Sequence, residues 1–129
     1  MGNRSSSITQ IRTGVDLIDV GRIASLMDRY GARFAHRVFT DRELEACKGR
    51  PERLAARFAA KEAVSKALGT GIGPVAWREI EVVSDSSGQP ELRLDGRAAE
   101  LAGELGLHMW SVSLSHTQEQ AVAFVIAAG

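Results

Sequence analysis

Cys47 is the only cysteine in this chain, so no intrachain disulfide can staple the fold and no Cys/His cluster can hold a metal. A reducing compartment is expected, with the cytoplasm as the location, and Cys47 itself reads as an ordinary helix residue. Long hydrophobic runs are missing too. None approaches the roughly 18–20 apolar residues of a membrane span, and Met1 to Gln10 has no apolar signal core, so no membrane partner is expected. Aromatic residues are 5% of the sequence, the net charge at pH 7 is zero and the pI is 6.8. That is not the basic, aromatic-rich make-up of a nucleic-acid-binding domain, and no nucleic-acid partner is expected.

What is present is ordinary for a globular chain: 129 residues, 44% hydrophobic and 25% charged, enough for one core. The expected division is a flexible leader over residues 1–10 and a single domain over 11–129. Met1-Gly2 with Ser6 matches a loose N-myristoylation pattern, although one acyl chain anchors weakly. The zero net charge hides an asymmetry. Residues 22–66 hold eleven Lys/Arg against six Asp/Glu, so one section of a neutral protein is cationic and suits an anionic ligand or an acidic partner surface.

The pattern predicts a mixed α+β chain without repeats. Ile11, Thr13, Val15 and Leu17 alternate with Arg12, Gly14, Asp16 and Ile18, the period of a strand that turns Asp16 away from Val15 and Leu17. Asp19 suits the N-cap of a helix carrying Ile23, Leu26 and Met27, and Thr40-Asp41-Arg42-Glu43 has capping-box spacing. A long central helix starts near Pro51 and stops at Gly69. Trp77–Ser84 and Glu91–Leu94 read as strands of a hairpin turning at Asp85-Ser86-Ser87-Gly88. Arg97–Leu105 reads as a short helix, and His108–Ser115 with Gln120–Ala127 as a terminal hairpin.

The central helix carries the chemical signal. Leu54, Phe58, Glu62 and Lys66 recur at i, i+4 and share one side, so a stripe that begins apolar ends in a carboxylate and an ammonium. Ala55, Ala56, Ala59, Ala60, Ala63 and Ala67 fill the rest with small helix formers that let neighbours approach closely. Glu62 is a candidate ligand or base; the plain alternative is an exposed Glu62–Lys66 pair contributing about 0.3–0.5 kcal/mol. Asp16 and Glu62 converging would give two carboxylates, which suits Mg²⁺ with water and phosphate completing its shell, and Lys66 would add a cation beside those phosphates. Gly69-Thr70-Gly71 follows a helix, whereas a P-loop precedes one, so close backbone approach to a ligand competes with simple helix capping. Ser115-His116 offers a hydroxyl and an imidazole, but neighbours on a strand point to opposite faces, which argues against a Ser-His hydrolase.

Three ordered segments, Gly14-Val15-Asp16-Leu17-Ile18, Arg57-Phe58-Ala59-Ala60-Lys61-Glu62-Ala63 continuing through Lys66-Ala67-Leu68-Gly69-Thr70-Gly71-Ile72, and Ser113-Leu114-Ser115-His116, closely resemble the motifs of holo-acyl-carrier-protein synthase, the short bacterial type of 4′-phosphopantetheinyl transferase. Phe39-Thr40 with Glu43-Leu44, and Gly88-Gln89-Pro90, fit the intervening pattern, and the likeness spans about residues 11–127.

The resemblance implies a phosphopantetheinyl-transferase-like α+β fold, an antiparallel sheet packed on the long central helix, assembled as a homotrimer with active sites between subunits. It implies transfer of phosphopantetheine from coenzyme A to a serine of acyl carrier protein, in support of fatty acid biosynthesis. Asp16 and Glu62 would hold Mg²⁺, and Lys66 would stabilise phosphate charge. Arg57, His116, the Gly69-Thr70-Gly71-Ile72 run and the Gly88–Pro90 segment would line the coenzyme A site, and Arg22, Arg29, Arg33 and Arg37 would face the acidic carrier. Two other classes stay open: a non-enzymatic module binding an acidic protein or nucleotide, and a Mg²⁺-dependent phosphodiesterase acting on water.

Overall fold

The computed structural model describes residues 7–129. The leader expectation for residues 1–6 and the acylation pattern at Met1-Gly2 and Ser6 lie outside the described residues. Thr9 and Gln10, placed in the leader by sequence, donate their backbone N–H groups to Gly129 O at 2.8 and 2.9 Å, so pairing with the chain's end begins before Ile11.

The elements run β1 (Ile11–Asp19), α1 (Val20–Tyr30), α2 (Ala32–Val38), α3 (Asp41–Cys47), α4 (Pro51–Leu68), a 3-10 turn (Trp77–Glu79), β2 (Ile80–Ser84), β3 (Pro90–Leu94), α5 (Gly96–Glu104), β4 (Met109–His116) and β5 (Gln120–Ala128). One antiparallel sheet has the order β1-β5-β4, and β2-β3 forms a separate antiparallel pair. The α+β class, the central helix and both hairpins therefore appear where the sequence placed them.

α4 lies across the three-stranded sheet and is the axis of the core. Pro51 occupies its first turn, and Gly69, at φ 83°, caps its end with the N–H of Gly69 donating to Lys66 O. Its sheet-facing side is alanine: Ala56, Ala59, Ala60, Ala63 and Ala67 are all buried. β1 answers in kind. Its Arg12, Gly14, Asp16 and Ile18 turn toward the helix, whereas Ile11, Val15 and Leu17 stay exposed on the other face. The larger apolar residues of β1 thus lie outside, and the contact between β1 and α4 is made by small groups at close range. From β5, Ala121, Ala123, Val125 and Ala127 complete the buried face.

Four details differ from the sequence reading. Trp77–Glu79 is a 3-10 turn instead of the start of a strand, because the Glu79 carboxylate draws it closed by accepting from Ala76 N at 2.8 Å and from Arg97 N at 2.8 Å. The basic section from Arg22 to Arg37 is two helices, broken at Gly31, whose φ of 55° is open to glycine at no steric cost. Asp19 stands at the N-cap of α1 but makes no side-chain capping bond; Gln120 Nε2 donates to its Oδ1 at 3.4 Å. The last helix is α5, Gly96–Glu104, with Asp95 accepting from Gly96 N at 2.9 Å. The capping box at Thr40 and Glu43 is formed as expected. Among the described residues no helix is long and apolar enough to cross a membrane.

Candidate functional site

The stripe on α4 behaves as its composition requires. Leu54 and Phe58 are buried, Glu62 is half-buried and Lys66 is exposed, so the helix leaves the core and enters a cleft beside β1. Strand alternation turns Asp16 into that cleft, where Lys66 Nζ lies 3.1 Å from Asp16 Oδ1 and donates to Val15 O at 2.9 Å. Glu62, one turn before Lys66, has its carboxyl pushed up from the ordinary value: burial is the larger cause and the Asp16 charge the second, with Lys66 and Arg22 opposing. A half-buried carboxyl pushed up partly by a neighbouring carboxylate, with cations at the rim, makes a site that gains from a bound cation. Among the described residues no third His, Cys, Asp or Glu joins them. Two hard oxygen donors fit Mg²⁺, which keeps water and takes phosphate oxygens, and do not fit zinc, which wants a fuller set of nitrogen or sulfur ligands.

A second cluster lies on the other side of α4. Arg53, Arg57, Ser84, Gly88, Pro90, Leu114 and His116 are among the residues lining a cavity of about 360 Å³. Arg57 is only 9% exposed, and its buried Nε has no hydrogen-bond partner among the described residues. A buried guanidinium donor without an acceptor is costly unless an anion fills the space. His116 reaches this cavity because β4 turns Leu114 and His116 to the helix side of the sheet, opposite Ala123 and Ala121 of β5. Cys47 is buried nearby at the end of α3, where burial pushes its thiol up and leaves it unreactive.

Three amides of the Gly69-Thr70-Gly71-Ile72 run turn back on the end of α4, beginning with Gly69 N, which donates to Lys66 O at 3.0 Å. Thr70 N and Gly71 N both donate to Ser65 O, at 3.1 and 3.2 Å, so they close the end of α4 and are not free to receive an anion.

Arg22, Arg33 and Arg37 line a third cavity, of about 420 Å³, together with Leu26, Tyr30, Phe34, Val38, Phe58 and Trp77. Its floor is aromatic: the Phe58 and Trp77 rings stand 4.6 Å apart. Arg29 is not part of that lining and lies over the Tyr30 ring at 5.5 Å. Arg22 also acts on the Glu62 carboxyl, so this cavity opens beside the carboxylate pair.

Sequence reasoning missed one charged group entirely. Lys61, counted with the eleven Lys/Arg of residues 22–66, is fully buried with Glu43: Nζ stands 2.8 Å from Glu43 Oε1, donates to Trp77 O at 3.0 Å, and also donates to Ile80 O. Glu43 in turn accepts from Thr40 N and Val82 N, each at 2.9 Å. The available signal was local. Lys61 sits in a run of alanines and valine at a position facing neither Glu62 nor solvent, and Glu43 was assigned only its capping role.

The 4′-phosphopantetheinyl transferase superfamily model matches residues 12–125. A holo-acyl-carrier-protein synthase from Herpetosiphon aurantiacus is 52% identical over 124 residues, covering 91% of this chain and 98% of the relative. Among solved structures, the holo-acyl-carrier-protein synthase of Helicobacter pylori in complex with coenzyme A superposes with a TM-score of 0.82 at 29% identity, over 89% of this chain and 98% of that one. The Neisseria meningitidis synthase gives 0.81 at 38% identity, over 90% and 96%. On this likeness along nearly its whole length, the chain belongs to the 4′-phosphopantetheinyl transferase superfamily and, within it, to the holo-acyl-carrier-protein synthases.

Proposed function

We propose that this chain moves the 4′-phosphopantetheine group of coenzyme A onto a serine hydroxyl of an apo acyl carrier protein, in the cytoplasm and in support of fatty acid biosynthesis. The observation that carries the reading is the meeting of Asp16, Glu62 and Lys66 in one cleft. In the reaction the serine oxygen bonds to the β-phosphorus of the pyrophosphate, and the bond from that phosphorus to the bridging oxygen breaks. Adenosine 3′,5′-bisphosphate leaves with the bridging oxygen. Asp16 and Glu62 are the residues to hold Mg²⁺. Bound there, the ion supplies Lewis-acid neutralisation of pyrophosphate charge.

Lys66 Nζ stands where it can turn from Asp16 to a phosphate oxygen and stabilise charge on the leaving group. The hydroxyl proton passes to Glu62 through an intervening water. Arg22, Arg33 and Arg37 give the adjoining cavity a positive rim suited to an acidic carrier, with Arg29 outside it on the same surface.

The cavity at Arg53, Arg57, Pro90 and His116 suits the second anionic group of coenzyme A, the 3′-phosphate. Arg57 and Lys66 are nine residues apart on one helix, about 180° around its axis at 3.6 residues per turn, and β1 and β4 are opposite edges of the sheet. The two anion sites of one chain therefore face away from each other, and one coenzyme A would draw on two copies. A homotrimer with shared sites accommodates this. It also covers the outer face of the sheet, where Val15 is 53%, Leu17 61% and Phe124 42% exposed in the single chain.

Incubation with coenzyme A, Mg²⁺ and an apo carrier, followed by intact mass of the carrier, tests the reading. Addition of phosphopantetheine is expected. Consumption of coenzyme A without a mass gain would mean a phosphodiesterase, and no turnover with any carrier would mean a binding module.

A further inference from the structure

At Gly14 the backbones of β1 and α4 meet without a side chain between them, and nothing in the chemistry above assigns it a task. It is buried on the helix-facing side of β1, one helix-facing position before Asp16. A Cβ built at Gly14 would overlap the carbonyl oxygen of Ala63, lie 2.8 Å from its carbonyl carbon and 3.2 Å from its Cα. Ala63 sits between Glu62 and Lys66 on α4. The obstacle on both sides is backbone: Gly14 is paired with Val125 in the sheet, and Ala63 lies inside a continuous helix. No side chain can swing aside to absorb an added atom.

We propose that Gly14 is a positioning residue, whose missing side chain sets the distance between β1 and α4 and so brings Asp16 into range of Glu62 and Lys66. Carbon atoms in contact ordinarily stand about 3.5–4.0 Å apart. Relieving the overlap at the Ala63 carbonyl carbon therefore needs the strand and helix to part by about 1 Å. That movement would open the 3.1 Å Asp16–Lys66 contact beyond hydrogen-bond range and spread the carboxylate pair. The inference rests on reading Asp16 and Glu62 as the pair that holds the divalent cation.

The test is Gly14→Ala in the full chain, with Mn²⁺ as a spectroscopic stand-in for Mg²⁺. The measurements are Mn²⁺ binding by electron paramagnetic resonance in the presence of coenzyme A, kcat, the Michaelis constant for the carrier, and the melting temperature. A misplacement of about 1 Å is expected to cost kcat about 100-fold and Mn²⁺ affinity about tenfold or more, with the carrier's Michaelis constant unchanged. Leu107→Ala, a truncation in the same core outside β1 and α4, should lower the melting temperature and leave Mn²⁺ affinity alone. A folded Gly14→Ala protein with wild-type Mn²⁺ affinity and kcat overturns the inference. Where Gly14→Ala does not fold, Ala63→Ser adds one atom to the buried side chain of the residue whose backbone Gly14 meets; weakened Mn²⁺ binding in that variant supports the inference and unchanged binding overturns it. Asp16→Asn separates the two readings. If it leaves Mn²⁺ binding intact, the cation site itself is wrong, whereas loss in Asp16→Asn with none in Gly14→Ala refutes only the spacing role.

Discussion

Replacing Lys61 by methionine removes an ammonium that nothing in the active cleft uses, and the fold should register the loss sharply. Lys61 Nζ serves the Glu43 carboxylate and the carbonyls of Trp77 and Ile80, and both members of the pair are fully buried. In Lys61→Met, Glu43 keeps the N–H groups of Thr40 and Val82 but becomes a buried charge without a counter-ion. Breaking a buried pair from one side costs about 3–5 kcal/mol, against a total stability of about 5–15 kcal/mol for a domain. A chain of this size should lose about 10–20 °C in melting temperature. The double variant Lys61→Met, Glu43→Gln removes the stranded charge and keeps an acceptor for one of the two N–H groups, so it should recover much of the loss.

Lys61 also gives the experiment a pH signature. Burial lowers its ionisation from the ordinary 10.5, with Glu43 only partly opposing, so over a window below 10.5 the native state binds fewer protons than the unfolded chain. Stability from this group then rises with pH, and the gap between wild type and Lys61→Met should widen as pH climbs toward 10. Urea titrations of both proteins at neutral and alkaline pH measure all of this. A Lys61→Met loss below about 1 kcal/mol, or a double variant no better than the single one, would refute the argument that the pair is a buried, mutually dependent unit.

Asp16→Asn or Glu62→Gln should fold normally and lose about 10²–10³ in transfer rate, and full activity at limiting Mg²⁺ in either variant would remove the pair from the mechanism. Arg57→Ala should raise the Michaelis constant for coenzyme A by about tenfold or more and abolish any preference over a coenzyme A lacking the 3′-phosphate; an unchanged preference would move that phosphate elsewhere. Leu17→Glu on the exposed sheet face should dissociate the assembly and reduce activity together, as read by light scattering over a dilution series, and a fully active monomer would contradict the shared site. Arg33→Glu with Arg37→Glu should raise the carrier's Michaelis constant and spare that of coenzyme A, with the defect shrinking as salt screens charges beyond about 8–10 Å.

Local signals carried most of the fold into the sequence. The capping box at Thr40, the proline opening α4 and the glycine closing it each act within a few residues, and all three appear where their chemistry demands. Period-2 alternation likewise placed Asp16 opposite Val15 and Leu17. What alternation could not say is which side of β1 meets the helix, because that depends on the partner surface. An alanine-faced helix leaves no room for Val15 or Leu17, so the glycine side turns inward and the apolar side stays exposed. Glu43 and Lys61 were opaque for the same reason: eighteen residues separate them, and only the packing of α3 on α4 makes two ordinary charges into one buried unit.

The candidate site divides along the same line. Glu62 and Lys66 were legible because one helical turn relates them, and Asp16 because its strand neighbours marked its face. In the Gly69–Ile72 run the amides of Thr70 and Gly71 are spent on Ser65, a hydrogen-bond pattern that composition does not encode. The orphaned Nε of Arg57 was invisible, because it exists only where β4 and the β2-β3 hairpin close over α4. Glu62 and Lys66, which meet Asp16 of β1, and Arg57, which lines the guanidinium cavity, thus lie on two sides of one helix. If Lys66 and Arg57 hold the two anionic ends of one coenzyme A, as proposed, their separation of about 180° around α4 is the reason one chain would not reach both, and the Leu17→Glu dilution experiment is the test of that reasoning.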